Sequence, residues 1–309
     1  MAELTMGIDL GGTKMAAVVL SKDNDVLSAS TVPRPRTADA MLEEPIELAR
    51  SLISGPVSAV GIGAAGLVRS ADGVMVWGPN VEGEEVSFKA HFEASLGLPA
   101  FVDNDATLAG LAETRIGAAV GFRHVLMMTL GTGIGGGWMI DGSPYHGRGF
   151  AGEIGHMIVD VGGPACTCGQ NGCWETFCSG RRLDQMARDL VAAQSGGLTA
   201  KLADGATPTG RHLVDAALEG DGDAIARLHE MASWMGLGIA NLVAAFDPEI
   251  VVVGGGVSRA GDLLLVPARH AMVSVLEGAA HRPETPIVCA ELGEQAGAIG
   301  AAMFARESM

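Results

Sequence analysis

A strand, a glycine turn and a second strand occupy residues 4–20, which are LTMGIDLGGTKMAAVVL. Two apolar runs, Leu4–Leu10 and Met15–Leu20, flank small and polar residues, as in antiparallel strands joined by a tight connection. A third apolar run, Val26–Val32, ends at Pro33, which cannot donate to the hydrogen-bond ladder of a sheet. The segment therefore predicts a three-stranded antiparallel meander.

The same plan restarts further along the chain. Leu130-Gly131-Thr132-Gly133 lies between two apolar runs and repeats Leu10-Gly11-Gly12-Thr13 at an offset of 130 − 10 = 120 residues. Further helices are predicted near residues 39–53, 105–116, 181–193, 211–217, 224–246 and 295–305, and further strands at 57–62, 100–102 and 250–253. A strand meander followed by alternating helices and strands, given twice, predicts a two-domain α/β fold with a cleft between the halves.

The composition excludes several classes of protein. The 309 residues include 20 Lys+Arg and 36 Asp+Glu, and the resulting net charge of −16 gives no general attraction to nucleic acid or to an anionic membrane. Apolar residues make up 48% of the chain, which is enough for a large core and excludes wholesale disorder. No secretory signal is visible, and the longest uncharged helical stretch, 231–246, is shorter than the roughly 18 residues of a membrane span. A cytoplasmic location is expected.

Two glycine turns are candidates for binding phosphate. In the first, Asp9 ends a strand and could hold Mg²⁺ through water, while Gly11 and Gly12 let backbone amides approach an anion, and Thr13 and Lys14 could meet phosphate oxygens. The alternative is an ordinary hairpin turn with a polar edge.

The second turn is Gly131-Thr132-Gly133, within a stretch that also satisfies the dinucleotide pattern G-x-G-x-x-G. That fingerprint requires a helix to begin within the motif, whereas Trp138-Met139-Ile140 is typical of another strand. We therefore expect a hairpin that faces the first one across a polyphosphate, with a flexible hairpin as the alternative.

Two further strand ends carry candidate ligand contacts. Gly254-Gly255-Gly256 follows a buried strand and would permit close approach of a flat group such as adenine or ribose, or simply form a tight turn. Asp103-Asn104-Asp105 stands between a strand and a helix, where one polar residue is expected as an N-cap. A cap does not account for three polar residues in a row, and a carboxylate here could accept a proton from a hydroxyl that attacks phosphate.

The most specific motif is a set of metal ligands. His156, Cys166, Cys168 and Cys173 provide three thiols and an imidazole within 18 residues, and the glycines between the thiols permit a tight wrap. Zn²⁺ in structural sites takes four such ligands in a closed tetrahedron. The motif therefore predicts one structural zinc ion per chain and, with only five cysteines in total, a reducing compartment.

These motifs together resemble the ROK-family sugar kinases, and most of all the bacterial glucokinase branch. The element C-x-C-G-x-x-G-C-x-E is present in full from Cys166 to Glu175, preceded by Glu153-Ile154-Gly155-His156, and the other turns follow in family order from about Met6 to Ala302. The resemblance implies the actin/hexokinase-like two-domain ATPase fold. The corresponding division is 1–107 plus 292–309 for the smaller domain and 108–291, with the zinc-binding segment 156–173, for the larger.

The family resemblance also implies an activity and residue roles. The expected reaction is ATP-dependent phosphorylation of a hexose, with glucose foremost, at its 6-hydroxyl, which is the entry step of glycolysis. On this reading Asp105 is the general base, and the sugar-binding residues are Asn80, Asn104, Glu153, His156 and Glu175. His156 would bind zinc through one ring nitrogen and sugar through the other. Mg²⁺ would accompany ATP at the glycine turns.

Several alternatives remain at this stage. Gly63-Ala64-Ala65-Gly66 and Gly78-Pro79-Asn80-Val81 depart from the family pattern near the expected sugar pocket, so mannose, N-acetylmannosamine or allose are alternative substrates. Polyphosphate or ADP could replace ATP as donor. A sugar-sensing regulator is a further alternative. It would lack a DNA-binding domain, because the residues before Asp9 contain no helix-turn-helix. A homodimer or higher homo-oligomer is the family expectation.

Overall fold

A computed structural model of the chain describes residues 4–35, 37–78, 85–193 and 197–309. The strands are β1 (Leu4–Leu10), β2 (Lys14–Leu20), β3 (Val26–Pro33), β4 (Val57–Ala64), β5 (Leu67–Arg69), β6 (Val74–Trp77), β7 (Val86–Ser87), β8 (Ala100–Asn104), β9 (Val125–Leu130), β10 (Ile134–Ile140), β11 (Ser143–Pro144), β12 (Ile250–Gly254) and β13 (Ile287–Cys289). The helices are α1 (Ala38–Leu52), α2 (Phe88–Leu96), α3 (Asp105–Ile116), α4 (Gly180–Ala192), α5 (Gly197–Ala203), α6 (Gly210–Leu218), α7 (Gly222–Phe246), α8 (Asp262–Val275) and α9 (Ala296–Glu307).

The first sheet has the strand order β3-β2-β1-β4-β8. The predicted meander is confirmed, because β1 pairs antiparallel with β2 and β2 antiparallel with β3, and β4 and β8 then add in parallel. In this register Asp9 on β1 is paired with Gly63 on β4, and Gly63 is paired with Asp103 on β8. Because β1, β4 and β8 are parallel, Asp9 and Asp103 both lie at the carboxyl-terminal ends of these strands.

Helix α9 packs on the first sheet at backbone distance. A Cβ atom on Gly7 or Gly61 would fall on the backbone of α9, at Ala298 and Ala301 respectively. Helix α3 approaches α9 as closely, since a Cβ on Gly300 would fall on the carbonyl of Leu108. Glycines at these positions let backbone meet backbone, which explains part of the high glycine content.

The segment before α9 is held by one buried carboxylate. Glu113 on α3 has no exposed surface, and its two oxygens accept hydrogen bonds from the backbone N–H groups of Ala118, Glu291 and Leu292 at 2.8–3.1 Å. A buried acceptor that loses such donors costs about 1–3 kcal/mol. Glu113 therefore fixes the path of the chain into α9.

A small sheet and a helix between β4 and β8 were not predicted from the sequence. Strands β5, β6 and β7 form an antiparallel three-stranded sheet, and α2 ends at Gly97 in the left-handed conformation with φ of 66°. These strands have two to four residues each, too few for a periodic pattern to be recognised.

The second five-stranded sheet has the order β11-β10-β9-β12-β13. It repeats the first plan, with an antiparallel pair of β10 and β11 at one end and a parallel pair of β12 and β13 at the other. The predicted restart of the fold after residue 120 is confirmed by this strand order.

The chain forms two compact units, described separately below. The first unit comprises residues 1–127, 135–152 and 291–309, and the second comprises 128–134 and 153–290. The predicted division after residue 107 falls inside α3, whose residues all belong to the first unit, where α3 packs on α9. The division of the chain at residues 107 and 291 that was drawn from the sequence stays a prediction.

The core of the second unit is built around one long helix and one tryptophan. Helix α7, 25 residues long, packs against α8. The Trp174 ring is fully buried against α7, where its Nε1 donates to the Trp234 carbonyl at 2.8 Å and Gly238 leaves room for the ring.

Over the described ranges, none of the helices combines the length and the hydropathy that a membrane span requires.

Candidate active site

The turn between β1 and β2 is open to an anion. Gly12, Thr13 and Lys14 are exposed to solvent. The Lys14 Nζ lies 2.8 Å from both carboxylate oxygens of Glu294, and both side chains of this ion pair are more than half exposed. An exposed pair of this kind is worth less than about 1 kcal/mol, so an incoming phosphate can replace Glu294 at low cost.

Arg34, the first residue after β3, braces the same turn. Its backbone N–H donates to the Thr13 carbonyl at 3.0 Å, and its Nη1 lies 3.5 Å from the Gly12 carbonyl oxygen. Its guanidinium also acts on Asp105, because the Arg34 charge opposes the rise in the pKa of that carboxyl. The sequence motifs did not single out Arg34, since it stands 22 residues from Gly12.

Among the described acidic residues of the first unit, Asp9 is the one with a buried carboxylate oxygen that lacks a hydrogen-bond partner. Its Oδ1 atom is buried and has no hydrogen-bond partner among the described residues, and its carboxylate packs beside Gly63 and Gly297. Burial, followed by the charge of Asp105, raises the pKa of Asp9 to about 8. An orphaned acidic oxygen beside a glycine turn suits a hydrated Mg²⁺ ion, which prefers oxygen ligands and retains several waters.

Asn104 and Asp105 stand where β8 passes into α3. Asn104 is the N-cap, because its Oδ1 accepts from the N–H groups of Ala106 and Thr107 at 3.0 and 3.1 Å, and its Nδ2 lies 3.4 Å from the Gly66 carbonyl. Asp105 is the first helical residue and is half-buried. Its burial raises the pKa of the carboxyl, while the Ala106 N–H and the Arg34 charge oppose that rise. A carboxylate with a raised pKa is a better proton acceptor, as general base catalysis requires.

Asp103 is the remaining polar residue of the Asp103-Asn104-Asp105 motif, and it does not cap α3. It is 2% exposed, its Oδ1 accepts from the Asn104 N–H at 2.8 Å, and its Oδ2 lies 2.5 Å from Nε2 of His146. Asp103 therefore braces the strand end before α3. The partner, His146, was not predicted, because 43 residues separate the two.

The second unit brings together three predicted sugar-binding residues. Glu153 and His156 lie in and beside the 3₁₀ turn Ile154–His156, and Glu175 lies in the 3₁₀ turn Trp174–Thr176. The two turns are joined by a hydrogen bond from the Trp174 N–H to the Met157 carbonyl at 2.8 Å. The three residues therefore lie in two turns that adjoin each other.

The predicted zinc ligands are also assembled here. One ligand atom from each of His156, Cys166, Cys168 and Cys173 lies within 4.8 Å of the other three. The Cys168 and Cys173 sulfurs are 3.6 Å apart, and a tetrahedral zinc with Zn–S bonds of about 2.3 Å places its sulfurs about 3.8 Å apart. Nδ1 is the His156 nitrogen that lies near a thiol, 3.7 Å from the Cys166 sulfur. The four side chains fit a zinc ion in number, chemistry and spacing.

Glu175 connects the thiol cluster to the second glycine turn. Its Oε1 lies 3.1 Å from the Cys166 sulfur, and its Oε2 occupies the place where a Cβ on Gly133 would stand. A side chain at position 133 would therefore displace the carboxylate of Glu175, a predicted sugar-binding residue.

The Gly131–Gly133 turn also abuts the start of α4. The Gly180 N–H donates to the Gly131 carbonyl at 2.7 Å, and Arg181 Nε lies 3.3 Å from the Thr132 carbonyl. A helix N-terminus and a guanidinium beside a glycine turn favour a bound anion. Arg181 was not predicted; its position two residues after the N-cap Ser179 is the signal that would have identified it.

The third glycine turn, Gly254-Gly255-Gly256, combines close packing with open space. Gly255 has a φ of 84° and packs against the backbone of Leu130, while Gly256 has free space where a Cβ would stand. Gly254 is the last residue of β12 and is buried. Gly256 is thus the member of the triplet with room for a ligand. Asn80, also predicted to contact sugar, lies outside the described residues.

Comparison with known proteins gives consistent matches over the whole chain. A sequence model described as the ROK family matches residues 5–308. A glucokinase of Streptomyces coelicolor is 40% identical over 313 residues, covering 98% of each chain. An N-acetylmannosamine kinase of Escherichia coli is 32% identical over 311 residues, again covering 98% of each chain.

A solved structure is similarly close. The crystal structure of a ROK family glucokinase from Streptomyces griseus, in complex with glucose and AMPPNP, superposes with a TM-score of 0.92 at 39% identity, covering 98% of this chain and 99% of that one. The predicted actin/hexokinase-like fold class is confirmed by this likeness.

Proposed function

The chain belongs to the ROK family, and from this premise we propose that it is a glucokinase, which transfers the γ-phosphoryl group of ATP to the 6-hydroxyl of glucose. The enzyme is an ATP-dependent sugar kinase, as are its full-length relatives. The observation that carries the proposal is the half-buried Asp105 carboxylate at the start of α3, in a chain 39% identical to a glucokinase solved with glucose and an ATP analogue.

Asp105 is the proposed general base. A sugar hydroxyl is a weak nucleophile, and a positioned carboxylate contributes typically about 10² to 10⁴ in rate by accepting its proton. Burial raises the pKa of Asp105, which strengthens it as a base, and the Arg34 charge opposes that rise. Asn104 orients Asp105 by capping α3 and keeps one amide proton for a sugar hydroxyl.

Glu153, His156 and Glu175 are the proposed contacts to the remaining sugar hydroxyls. Carboxylates accept hydrogen bonds from hydroxyl groups, and the His156 ring can donate from Nε2 while Nδ1 faces the thiols. Zn²⁺, when bound by His156 and the three cysteines, supplies no open coordination position, so its role is to fix the His156 ring and the surrounding loops.

The glycine turns are the proposed contacts to ATP. Backbone amides of the turns at 11–13 and 131–133 would face phosphate oxygens, with Lys14 and Arg181 at their rims. Asp9 would hold the waters of Mg²⁺, which neutralises charge on the transferred phosphoryl group when bound. Gly256 offers its free face to the nucleoside.

A hexose panel tests this function. Release of ADP is measured by a coupled assay with ATP–Mg²⁺ and glucose, mannose, N-acetylmannosamine, N-acetylglucosamine, fructose or allose in turn. We expect the highest kcat/KM for glucose. A higher kcat/KM for N-acetylmannosamine would make that sugar the preferred substrate, in line with the similarity to an N-acetylmannosamine kinase. No turnover with any hexose would overturn the kinase function. Polyphosphate and ADP are offered as alternative donors in the same assay.

Two broader features belong to the same proposal. The five cysteines are all free, and a zinc site of three thiols needs them reduced, which supports the cytoplasm as the compartment. A homodimer or higher homo-oligomer is proposed on family grounds, and light scattering during size-exclusion chromatography measures it.

A further inference from the structure

The buried Asp103 and the partly exposed His146 form a pair outside the groups that the proposed reaction uses. The His146 Nε2 lies 2.5 Å from the Asp103 Oδ2, and Asp103 is 2% exposed. A buried carboxylate is costly unless it is paired and hydrogen-bonded. His146 is the cation available to this one, since its side chain reaches Asp103 from a loop of the same unit.

The pair is connected to the start of α3 by consecutive hydrogen bonds. Asp103 accepts the Asn104 N–H through its other oxygen, and Asn104 in turn caps the helix through Ala106 and Thr107. Asp105 is the residue between that cap and the helix. A shift of the Asp103 carboxylate therefore moves the residue that orients the general base.

His146 is also the centre of the loop at 145–152. Its backbone carbonyl accepts hydrogen bonds from the N–H groups of Gly149 at 2.7 Å and Ala151 at 3.2 Å. Gly147, Gly149 and Gly152 have φ values of 57°, 115° and 110°, so the loop is a glycine-dependent fold around one residue. The next residue along the chain is Glu153, a proposed sugar contact.

We propose that His146 is a positioning residue of the sugar kinase, which holds the loop before Glu153 and the strand end before Asp105 in register through its bond to Asp103. The inference rests on the proposed function and goes beyond it, because His146 is not one of the residues proposed to contact a substrate. Its loss loosens two sugar-facing segments while leaving the glycine turns at 11–13 and 131–133 intact. The expected effect is thus on the sugar KM and not on the ATP KM.

The pair also gives the sugar KM a pH dependence. From β8 the His146 ring faces Asp103, and from α9 it faces the uncharged ring of Phe304, with centroids 6.5 Å apart. Tyr145 and Arg148 are its ionisable neighbours along the loop. Its bond to Asp103 raises the pKa of His146 above 6.5. The charged pair is therefore complete below pH 6.5 and weakens as the pH rises through the raised value, where the sugar KM should increase.

The test compares His146→Ala, His146→Gln and wild type between pH 6 and 9. We expect His146→Ala to raise the glucose KM by about tenfold or more, within the range that small misplacements of reacting groups produce, with an unchanged ATP KM. His146→Gln keeps a hydrogen-bond donor for Asp103 and cannot titrate. It should restore much of the sugar affinity at low pH and remove the pH dependence of the sugar KM.

Controls separate positioning from folding. His124→Ala removes an exposed histidine of the same unit, 3.9 Å from Asp141, and should change neither KM. The ratio of the wild-type and His146→Gln sugar KM values cancels every titration that the two proteins share. If His146→Ala does not fold, as judged by thermal unfolding, the His146→Gln profile decides.

The outcomes are distinct. A wild-type enzyme inert on every hexose overturns the kinase function and the inference with it. An active wild type whose sugar KM follows the same pH profile as His146→Gln overturns the positioning role alone. Equal losses in both KM values together with lower thermal stability would assign His146 a purely structural role.

Discussion

Two clusters of ionisable side chains, one in each unit, are built in opposite ways. Asp9, Asp105 and Arg34 come from three separate segments, and Asp105 interacts electrostatically with both of the others, whereas His156, Cys166, Cys168 and Cys173 come from a single short segment. Burial raises the pKa of Asp9 to about 8 and that of Cys173 to about 12. Burial therefore disfavours the anionic forms of Asp9 and Cys173 until a cation stands beside them.

The difference lies in what each cluster leaves open. The thiol cluster offers four ligands that close around one ion, so its contribution is to structure. The acidic cluster leaves Oδ1 of Asp9 without a partner and Asp105 half-buried, so it retains capacity for a hydrated ion and a proton. A closed site contributes to stability and an open site can take part in a reaction, and five substitutions measure that contrast.

The largest effect is expected from Cys168→Ala. Zinc binding in small structural sites is worth about 10–16 kcal/mol, and the loss of one of four ligands removes much of it. Zinc content by elemental analysis, thermal stability and glucose affinity should fall together. Cys289→Ala, which alters a thiol outside the cluster, is the matched control and should keep about one zinc per chain. Full zinc occupancy in the Cys168 variant would refute the ligand assignment.

Asp105→Asn should be the most damaging change to turnover. It keeps the size of the side chain and removes its basicity, so kcat should fall by at least about 10²-fold while glucose binding by calorimetry changes little. Because burial raises the pKa of Asp105, the wild-type kcat should decline on the acid side at a pH above the ordinary value of 3.8. If Asp103→Asn were the inactive variant and Asp105→Asn turned over normally, the base would have to be placed elsewhere.

Asp9→Asn should stabilise the ligand-free protein while it weakens catalysis. The pKa of Asp9 is raised, so its stabilising protonated form is complete below pH 3.8 and is lost as the pH rises through about 8. Above pH 8 the neutral asparagine avoids an unpartnered buried charge, and the free energy of unfolding should rise by about 1–3 kcal/mol. Denaturant titrations at pH 5 and 9 measure this. Asp23→Asn, at an exposed aspartate, should show no such gain.

The smallest effects are expected at the second glycine turn. Gly131→Ala places its Cβ in free space, so it should raise the ATP KM alone, by about tenfold if phosphate approaches the backbone there. Gly133→Ala displaces the Glu175 carboxylate and should raise the sugar KM as well. Steady-state kinetics with each substrate varied in turn distinguish the two. Identical profiles for both variants would contradict the contact between Gly133 and Glu175.

The thiol cluster could be predicted from the sequence because its members are neighbours in the chain. His156, Cys166, Cys168 and Cys173 have spacings that no other chemistry explains as well. The strands of the first meander were predicted for the same reason, since an apolar run and a glycine turn are local signals.

The acidic cluster was predicted only in part. Asp9 was found because it lies at the end of a strand beside a turn, and Asp105 because it stands between a strand and a helix. Arg34, His146 and Glu294 reach these residues through tertiary contacts. The partner of Asp103 is 43 residues away and that of Lys14 is 280 residues away. One sequence contains no signal for such pairs. The short strands β5–β7 were missed because two to four residues carry no period.

The seat of α9 on the first sheet has a consequence for synthesis on the ribosome. Strands β1 and β4 are synthesised early, yet Gly7 and Gly61 contact the backbone of a helix that begins at residue 296. Glu113 likewise accepts hydrogen bonds from the N–H groups of Glu291 and Leu292, which are synthesised late. The first unit therefore cannot complete its core until the residues of α9 have been made, whereas all residues of the second unit have been made by residue 290. A truncation before residue 296 should therefore destabilise β1 and β4, which pack on α9.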